Sequence, residues 1–167
     1  MTAEPYRVLF LCTRNSARSI MAEAILNNIG APTFVGHSAG SRPAGAIDPR
    51  VLALLTRNGL PTDHLHSKSW DAFADGPPLD FVFTLCDDAA GETCPVWPGR
   101  PVTAHWPFPD PGSATGSDAE IAAFTADVFR QIHRRLSIFT ALPLAKLDRM
   151  SQRERVAALA DSRDTTG

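Results

Sequence analysis

Cys12 and Arg18 stand six positions apart in Cys12-Thr13-Arg14-Asn15-Ser16-Ala17-Arg18-Ser19, directly after the apolar run Val8-Leu9-Phe10-Leu11. A cysteine, a five-residue loop, an arginine and a helix-like segment together suit chemistry on a tetrahedral oxyanion. The backbone N–H groups of residues 13–18 can wrap such an anion at a helix N-terminus, where the helix dipole also favours negative charge. Arg18 adds a planar fork that can grip two oxygens. Cys12 feels the same positive field, so its thiolate is expected to form well below the ordinary cysteine pKa of ~8.5. The loop that binds the anion thereby activates the nucleophile. A strand-end cysteine taken alone reads more readily as a small buried residue. The combination is what points to catalysis.

A second group of reactive side chains follows: Cys86, Cys94, His105 and Asp110. The two thiols are eight positions apart across Ala89-Ala90-Gly91, so they could meet after a local rearrangement. A zinc site on Cys86, Cys94 and His105 is a poorer reading, because zinc cysteines usually pair across two to four residues. Inert burial of both thiols is the other alternative. Asp110 precedes Pro111 in a loop and could protonate a leaving oxygen if it lies near the Cys12 loop. As part of Asp-Pro-Gly it also reads as a plain turn residue. His37, His64, His66, His105 and His133 show no ligand spacing, and Trp70, Trp97 and Trp106 read as packing residues because no basic residues interleave with them.

The elements around these residues alternate. Residues 6–12 predict a strand buried on both faces, as in a parallel sheet. Residues 16–28 have helical spacing, with Met21, Ile25 and Ile29 on one face and Gly30 as a stop. A second strand is expected over 33–39. Asp48-Pro49 caps a helix carrying Val51, Leu52, Leu54 and Leu55, which ends at Gly59. Residues 79–85 form the clearest later strand and deliver Cys86 at its end. A short strand over 101–105 follows, and Ser117 with Glu120 forms a capping box for a long helix closed by Pro143. Its apolar face is Ile121, Phe124, Val128, Ile132, Leu136 and Phe139. Ser151 with Glu154 is read as the cap of a last short helix, and residues 161–167 as frayed. Such alternation means an α/β fold with a parallel sheet. Ligands then bind beyond the carboxyl ends of the strands, where Cys12, Cys86 and the segment after His105 collect. The loop over 94–116 is long enough to suggest function.

Composition narrows the function class. The chain has 167 residues and a formal charge of −2, which suits one core and argues against a general grip on nucleic acid. No stretch approaches the ~20 apolar residues of a membrane span, and residues 1–5 lack a signal-peptide pattern. With three cysteines, an odd count, the reading is reactive thiols in the cytoplasm rather than a disulfide framework.

The segment from Cys12 to Ser19 resembles the phosphate-binding loop of low-molecular-weight protein tyrosine phosphatases and of the arsenate reductases built on the same fold. The resemblance runs from about Arg7 to Leu142. It implies a three-layer sandwich with a four-stranded parallel sheet flanked by helices, forming a catalytic domain over 1–142 and leaving 143–167 as an extension with a short helix and a frayed tail. Thr84-Leu85-Cys86, Cys94-Pro95, His105-Trp106 and Asp110-Pro111 are similar to the arsenate reductase branch, since a phosphatase needs no further thiols. The resemblance implies that Cys12 attacks arsenate held by Thr13, Arg14, Asn15, Ser16, Ala17 and Arg18, with Asp110 as the acid. Cys86 then resolves the adduct as a Cys12–Cys86 disulfide, and Cys94 moves it outward to Cys86–Cys94. Thioredoxin or glutaredoxin with glutathione would supply the electrons, with no bound cofactor. Asn15 would shape the loop and Ser19 would hydrogen-bond the nucleophile.

The sequence departs from the family pattern in places. Arg14 replaces a common glycine, and Ala17 replaces a second loop cysteine found in many members. Some reductases hold potassium beside the loop on an asparagine, a glutamate, a serine and an aspartate. Asn15, Glu23 and Ser38 match, but Ser69 stands in the aspartate's place with Lys68 beside it, so bound potassium is not implied. Two other functions compete with arsenate reduction. A phosphatase would use Cys12, Arg18 and Asp110 alone, but residues 40–50 and 110–113 offer no aromatic wall for a phosphotyrosine. A non-catalytic oxyanion or thiol sensor would not need the intact nucleophile, arginine and acid.

Overall fold

The computed structural model describes residues 4–85 and 96–161. Four strands, β1 (Tyr6–Cys12), β2 (Phe34–Gly40), β3 (Phe81–Thr84) and β4 (Val102–His105), form one sheet in the order β2-β1-β3-β4. All three pairings are parallel, with Cys12 opposite Gly40, Leu11 opposite Thr84, and Thr84 opposite His105. The helices are α1 (Arg18–Ile29), α2 (Pro49–Arg57), α3 (Asp71–Ala74), α4 (Asp118–Ala141) and α5 (Arg149–Asp161). The expected α/β architecture with an all-parallel four-stranded sheet is what the chain adopts.

Alternation along β1 divides the core. Val8 and Phe10 face a large cluster with Ile20, Met21 and Ile25 of α1, Val51 and Leu55 of α2, Ile132 and Phe139 of α4, and Val156 of α5. Leu9 and Leu11 face a smaller one with Val82, Leu79 and Trp97, against which Trp70 and Phe73 pack. Each fully buried side chain of this kind contributes roughly 1.5–3 kcal/mol, so β1 is fixed from both sides and its last residue, Cys12, is fixed with it. Trp106 stacks on Phe83 with ring centroids 3.8 Å apart. Its indole N–H donates to the Val156 carbonyl of α5 at 2.8 Å. The helix beyond residue 142 is therefore packed onto β4 and the main core.

Several element boundaries differ from the sequence reading. α1 starts at Arg18, not at residue 16, because residues 13–17 form the loop and Asn15 adopts a positive φ of 48° that no helix admits. α5 starts at Arg149 and is capped by Asp148, whose carboxylate accepts from the Ser151 N–H at 2.7 Å; Ser151 lies inside the helix. β3 covers only Phe81–Thr84, and just before it the Asp80 carboxylate accepts from the Arg7 N–H at 2.8 Å. The short α3 was not foreseen, having too few residues to show a period. The Asp48–Pro49 start of α2 and the Ser117–Glu120 capping box stand as read. Residues 162–167, expected to fray, lie outside the described residues.

Candidate functional site

Cys12 ends β1 and is 4% exposed. Residues 13–17 leave it as a loop whose carbonyls are tied from outside. The Thr13 carbonyl accepts from the Arg42 N–H at 2.8 Å, the Arg14 carbonyl from the Ala44 N–H at 2.9 Å, and the Ser16 carbonyl from the Asp48 N–H at 3.0 Å. The Ser67 hydroxyl adds a further bond to the Arg14 carbonyl at 3.2 Å. In a trans peptide C=O and the following N–H point in opposite directions. Tying three carbonyls outward therefore turns the N–H groups of Arg14, Asn15 and Ala17 the other way. Such converging donors are a concave anion binder.

Asn15 holds the tightest turn. It is fully buried with φ at 48°, a region that asparagine tolerates better than most residues. Its amide donates to the Ser19 hydroxyl at 2.8 Å, and its oxygen accepts from the Lys68 N–H at 2.9 Å. Because Ser19 is the acceptor there, its own O–H remains available as a donor to a neighbour. Gly40 admits the loop: a Cβ there would meet the Thr13 carbonyl oxygen at 2.5 Å and that of Cys12 at 2.8 Å. In the sequence Ala39-Gly40 reads only as the close of the second strand, with no sign of this approach by the loop.

Arg18 opens α1 with its side chain 13% exposed. One terminal nitrogen donates to the Phe108 carbonyl at 3.0 Å, and the other lies 3.7 Å from the Asp110 carboxylate. Its Nε is buried with no hydrogen-bond partner among the described residues, an N–H that a bound anion can satisfy. Asp110 caps a single 3-10 turn, Pro111–Ser113, and accepts from the Gly112 N–H at 2.8 Å. It is thus a turn aspartate that also neighbours Arg18. Its side chain is half-exposed, and α4 supports the segment by placing the Arg135 guanidinium over Phe108, 4.6 Å from the ring centroid.

A buried polar cluster lies next to the loop. Glu23, on α1, is 6% exposed and accepts from the Ser38 hydroxyl. The Lys68 ammonium sits 3.7 Å from the Glu23 carboxylate and donates to Ser38 at 3.4 Å and to the His66 carbonyl at 2.8 Å. Burial pushes the Lys68 pKa down, while the Glu23 charge and hydrogen bond push it back up. Adjacent His37 has its pKa lowered to about 4 by burial, then by Arg7 and Lys68, so near neutral pH it carries no charge. Glu23 and Ser38, two of the residues that matched a potassium site, thus already have the Lys68 ammonium beside them.

Thr13, Arg14, Asn15, Ser16, Ala17, Arg18, Ser19 and Asp110 are all brought to the carboxyl end of β1 or beside it. Cys86 and Cys94 lie outside the described residues. Leu85, the last described residue before them, donates its N–H to the Leu11 carbonyl at 2.8 Å. His105 remains in the sheet, its Nδ1 2.8 Å from the Thr84 hydroxyl. Among the described residues no group of three or more His, Cys, Asp or Glu could hold a metal ion, and no helix is long and apolar enough to cross a membrane.

Comparison with known proteins agrees with this geometry. Residues 7–153 match the family model for the low molecular weight phosphotyrosine protein phosphatases. An arsenate reductase from Bacillus subtilis is 34% identical over 132 residues, covering 79% of this chain and 93% of that protein. The crystal structure of an arsenate reductase from Archaeoglobus fulgidus superposes with a TM-score of 0.63 at 27% identity, covering 81% of this chain and 99% of the other. An arsenate reductase solved in a phosphate-binding state gives a TM-score of 0.65 at 26% identity, covering 81% and 97%. On these matches the chain belongs to the low molecular weight phosphotyrosine protein phosphatase family, on its arsenate reductase branch.

Proposed function

We propose that this protein reduces arsenate to arsenite, using Cys12 as the nucleophile and a three-cysteine relay to carry the electrons away. The observation that supports it most is the loop after Cys12, with three carbonyls tied outward and the buried Arg18 Nε beside it, in a chain related to arsenate reductases. Arsenate, a tetrahedral anion, is held by the loop N–H groups and Arg18. The Cys12 thiolate attacks arsenic, an As–O bond breaks, and Asp110 protonates the departing oxygen so that it leaves as water. The Cys86 thiolate then attacks the Cys12 sulfur. The S–As bonding pair stays with arsenic, reducing As(V) to As(III), and arsenite leaves as the Cys12–Cys86 disulfide forms. Cys94 attacks Cys86, returning Cys12 as a thiol and leaving a Cys86–Cys94 disulfide. An external dithiol, of the thioredoxin or the glutaredoxin–glutathione kind, reduces that disulfide by thiol exchange.

Cys86→Ser and Cys94→Ser test the relay. Each should stop multiple-turnover arsenate reduction while sparing any hydrolysis of a small phosphate ester, because hydrolysis ends with water attacking the Cys12 adduct. In Cys94→Ser, one turnover should trap a Cys12–Cys86 disulfide, seen by peptide mapping. Full turnover of Cys94→Ser with glutathione and glutaredoxin would show that an outside thiol performs the outward step. Wild-type arsenate turnover in both variants would show that outside thiols resolve the Cys12 adduct, and absence of arsenate turnover in wild type would leave the phosphatase reading in its place.

Asp110→Asn separates an acid from a turn residue. The asparagine retains an oxygen to accept from Gly112, so the 3-10 turn survives, but it cannot deliver a proton. Hydrolysis of an aryl phosphate with a poor leaving group should slow by roughly 10²–10⁴-fold, with phosphate affinity little changed. The defect should shrink as the leaving group improves. Equal defects across leaving groups would reduce Asp110 to its structural part.

A further inference from the structure

Glu23 is the one acidic side chain of α1, and it points into the core within a run of Met21, Ala22, Ala24, Ile25 and Leu26. An acidic group on that face is costly unless a cation accompanies it. It lies five residues along the helix that opens at Arg18, and a helix rises 1.5 Å per residue. A bare carboxylate there sits about 7–8 Å along the axis from the loop that must accept an anion, within one Debye length and in a poorly screened interior. The groups around Glu23 are few. Ser38 of β2 donates to it, His37 of β2 is uncharged near neutral pH, and Lys68 supplies the cation. Lys68 is itself threaded into the loop, since its backbone N–H bonds Asn15 and its carbonyl accepts from the Gly40 N–H at 2.9 Å.

We propose that Lys68 is an internal counter-ion for Glu23 that keeps the carboxylate's field off the anion loop. The inference rests on the oxyanion-binding reading of the Cys12 loop. It assigns Lys68 as a positioning residue, acting through Glu23 and Asn15 rather than on the substrate. The covalent link is the gain. A tethered ammonium cannot dissociate, so anion binding is independent of which alkali ion surrounds the protein.

The test measures the dissociation constant of inorganic phosphate by calorimetry, at fixed ionic strength, in sodium and in potassium buffers, with thermal unfolding alongside. Wild type should bind phosphate equally in both. Lys68→Met, which keeps the stem and removes the charge, should bind about tenfold more weakly or worse. Glu23→Gln with Lys68→Met removes both charges and should return affinity to within about threefold of wild type; this neutral variant also covers the case in which Lys68→Met alone does not fold. Lys68→Ala should regain affinity on titration with ammonium or potassium and not with tetramethylammonium, which is bulkier than the ammonium removed and cannot donate a hydrogen bond. A merely structural lysine would lower the unfolding temperature and leave the phosphate constants unmoved. The proposal is overturned if wild type prefers potassium buffer, if Lys68→Met binds as wild type does, or if the double variant fails to recover. Absence of phosphate binding by wild type in both buffers would overturn the loop reading, and with it the inference.

Discussion

Cys12→Ser is expected to abolish arsenate reduction, by a factor on the order of 10⁴ or more in turnover, as is usual when a nucleophile is lost. The hydroxyl stays protonated near neutrality and cannot form the disulfide of the proposed relay. The loop should survive intact, because its shape is set by the ties of residues 13, 14, 15 and 16 to Arg42, Ala44, Lys68 and Asp48, and none involves the sulfur. Phosphate should therefore still bind, at least as well as in wild type, since the thiolate's negative charge is gone. Calorimetry of phosphate binding set against arsenate-dependent consumption of reductant separates the two effects. Continued arsenate turnover by the serine variant would show that Cys12 is not the nucleophile.

Arg18→Lys is the second large effect. Arg18 donates to the Phe108 carbonyl, faces Asp110, and keeps an Nε–H without a partner among the described residues. Lysine carries the same charge on a single nitrogen and cannot hold the Phe108 carbonyl while also presenting a planar pair of donors to an anion. Loss of one well-placed donor at a developing charge typically costs about 10²–10³-fold in turnover, and here the Phe108–Asp110 segment also loses its contacts with Arg18. The expected result is a fall of that order in kcat with weaker phosphate binding, and circular dichroism unchanged. A lysine variant with near-normal turnover would mean that charge alone suffices at position 18.

The chemistry most legible in the sequence is the part that is contiguous. Cys12 through Ser19 form one uninterrupted segment, so the loop and its arginine follow from order along the chain, and the strands and long helices follow from their periods. Where local signals compete, the boundaries shift. Ser16 looks like a helix start, yet the positive φ of Asn15 delays α1 to Arg18; Ser151 looks like a cap, yet Asp148 takes that place. The Glu23–Ser38–Lys68 cluster needs α1, β2 and the segment before α3 to meet, and no spacing along one element announces that. What brought Glu23 and Ser38 together in the sequence, with Lys68 beside Ser69, was the resemblance to a family cation site and not any period. Gly40 belongs to the same class, because the reason for a glycine is the neighbouring loop rather than a turn of its own.

The outward anchoring of the loop carbonyls has a consequence for how the protein would choose between substrates. A cradle already held in shape by Arg42, Ala44 and Asp48 does not have to reorganise around its guest. It therefore recognises geometry and charge, and arsenate and phosphate are close to equal in both. Discrimination by affinity is out of reach for such a receptor, and abundant phosphate becomes a competitor that occupies the site without being consumed. What separates the two is the step after capture: a thiol can take arsenic from the pentavalent to the trivalent state, and it cannot do so with phosphorus. Selectivity then resides in the redox chemistry of the guest, and the protein tolerates a common mimic by letting it leave unchanged.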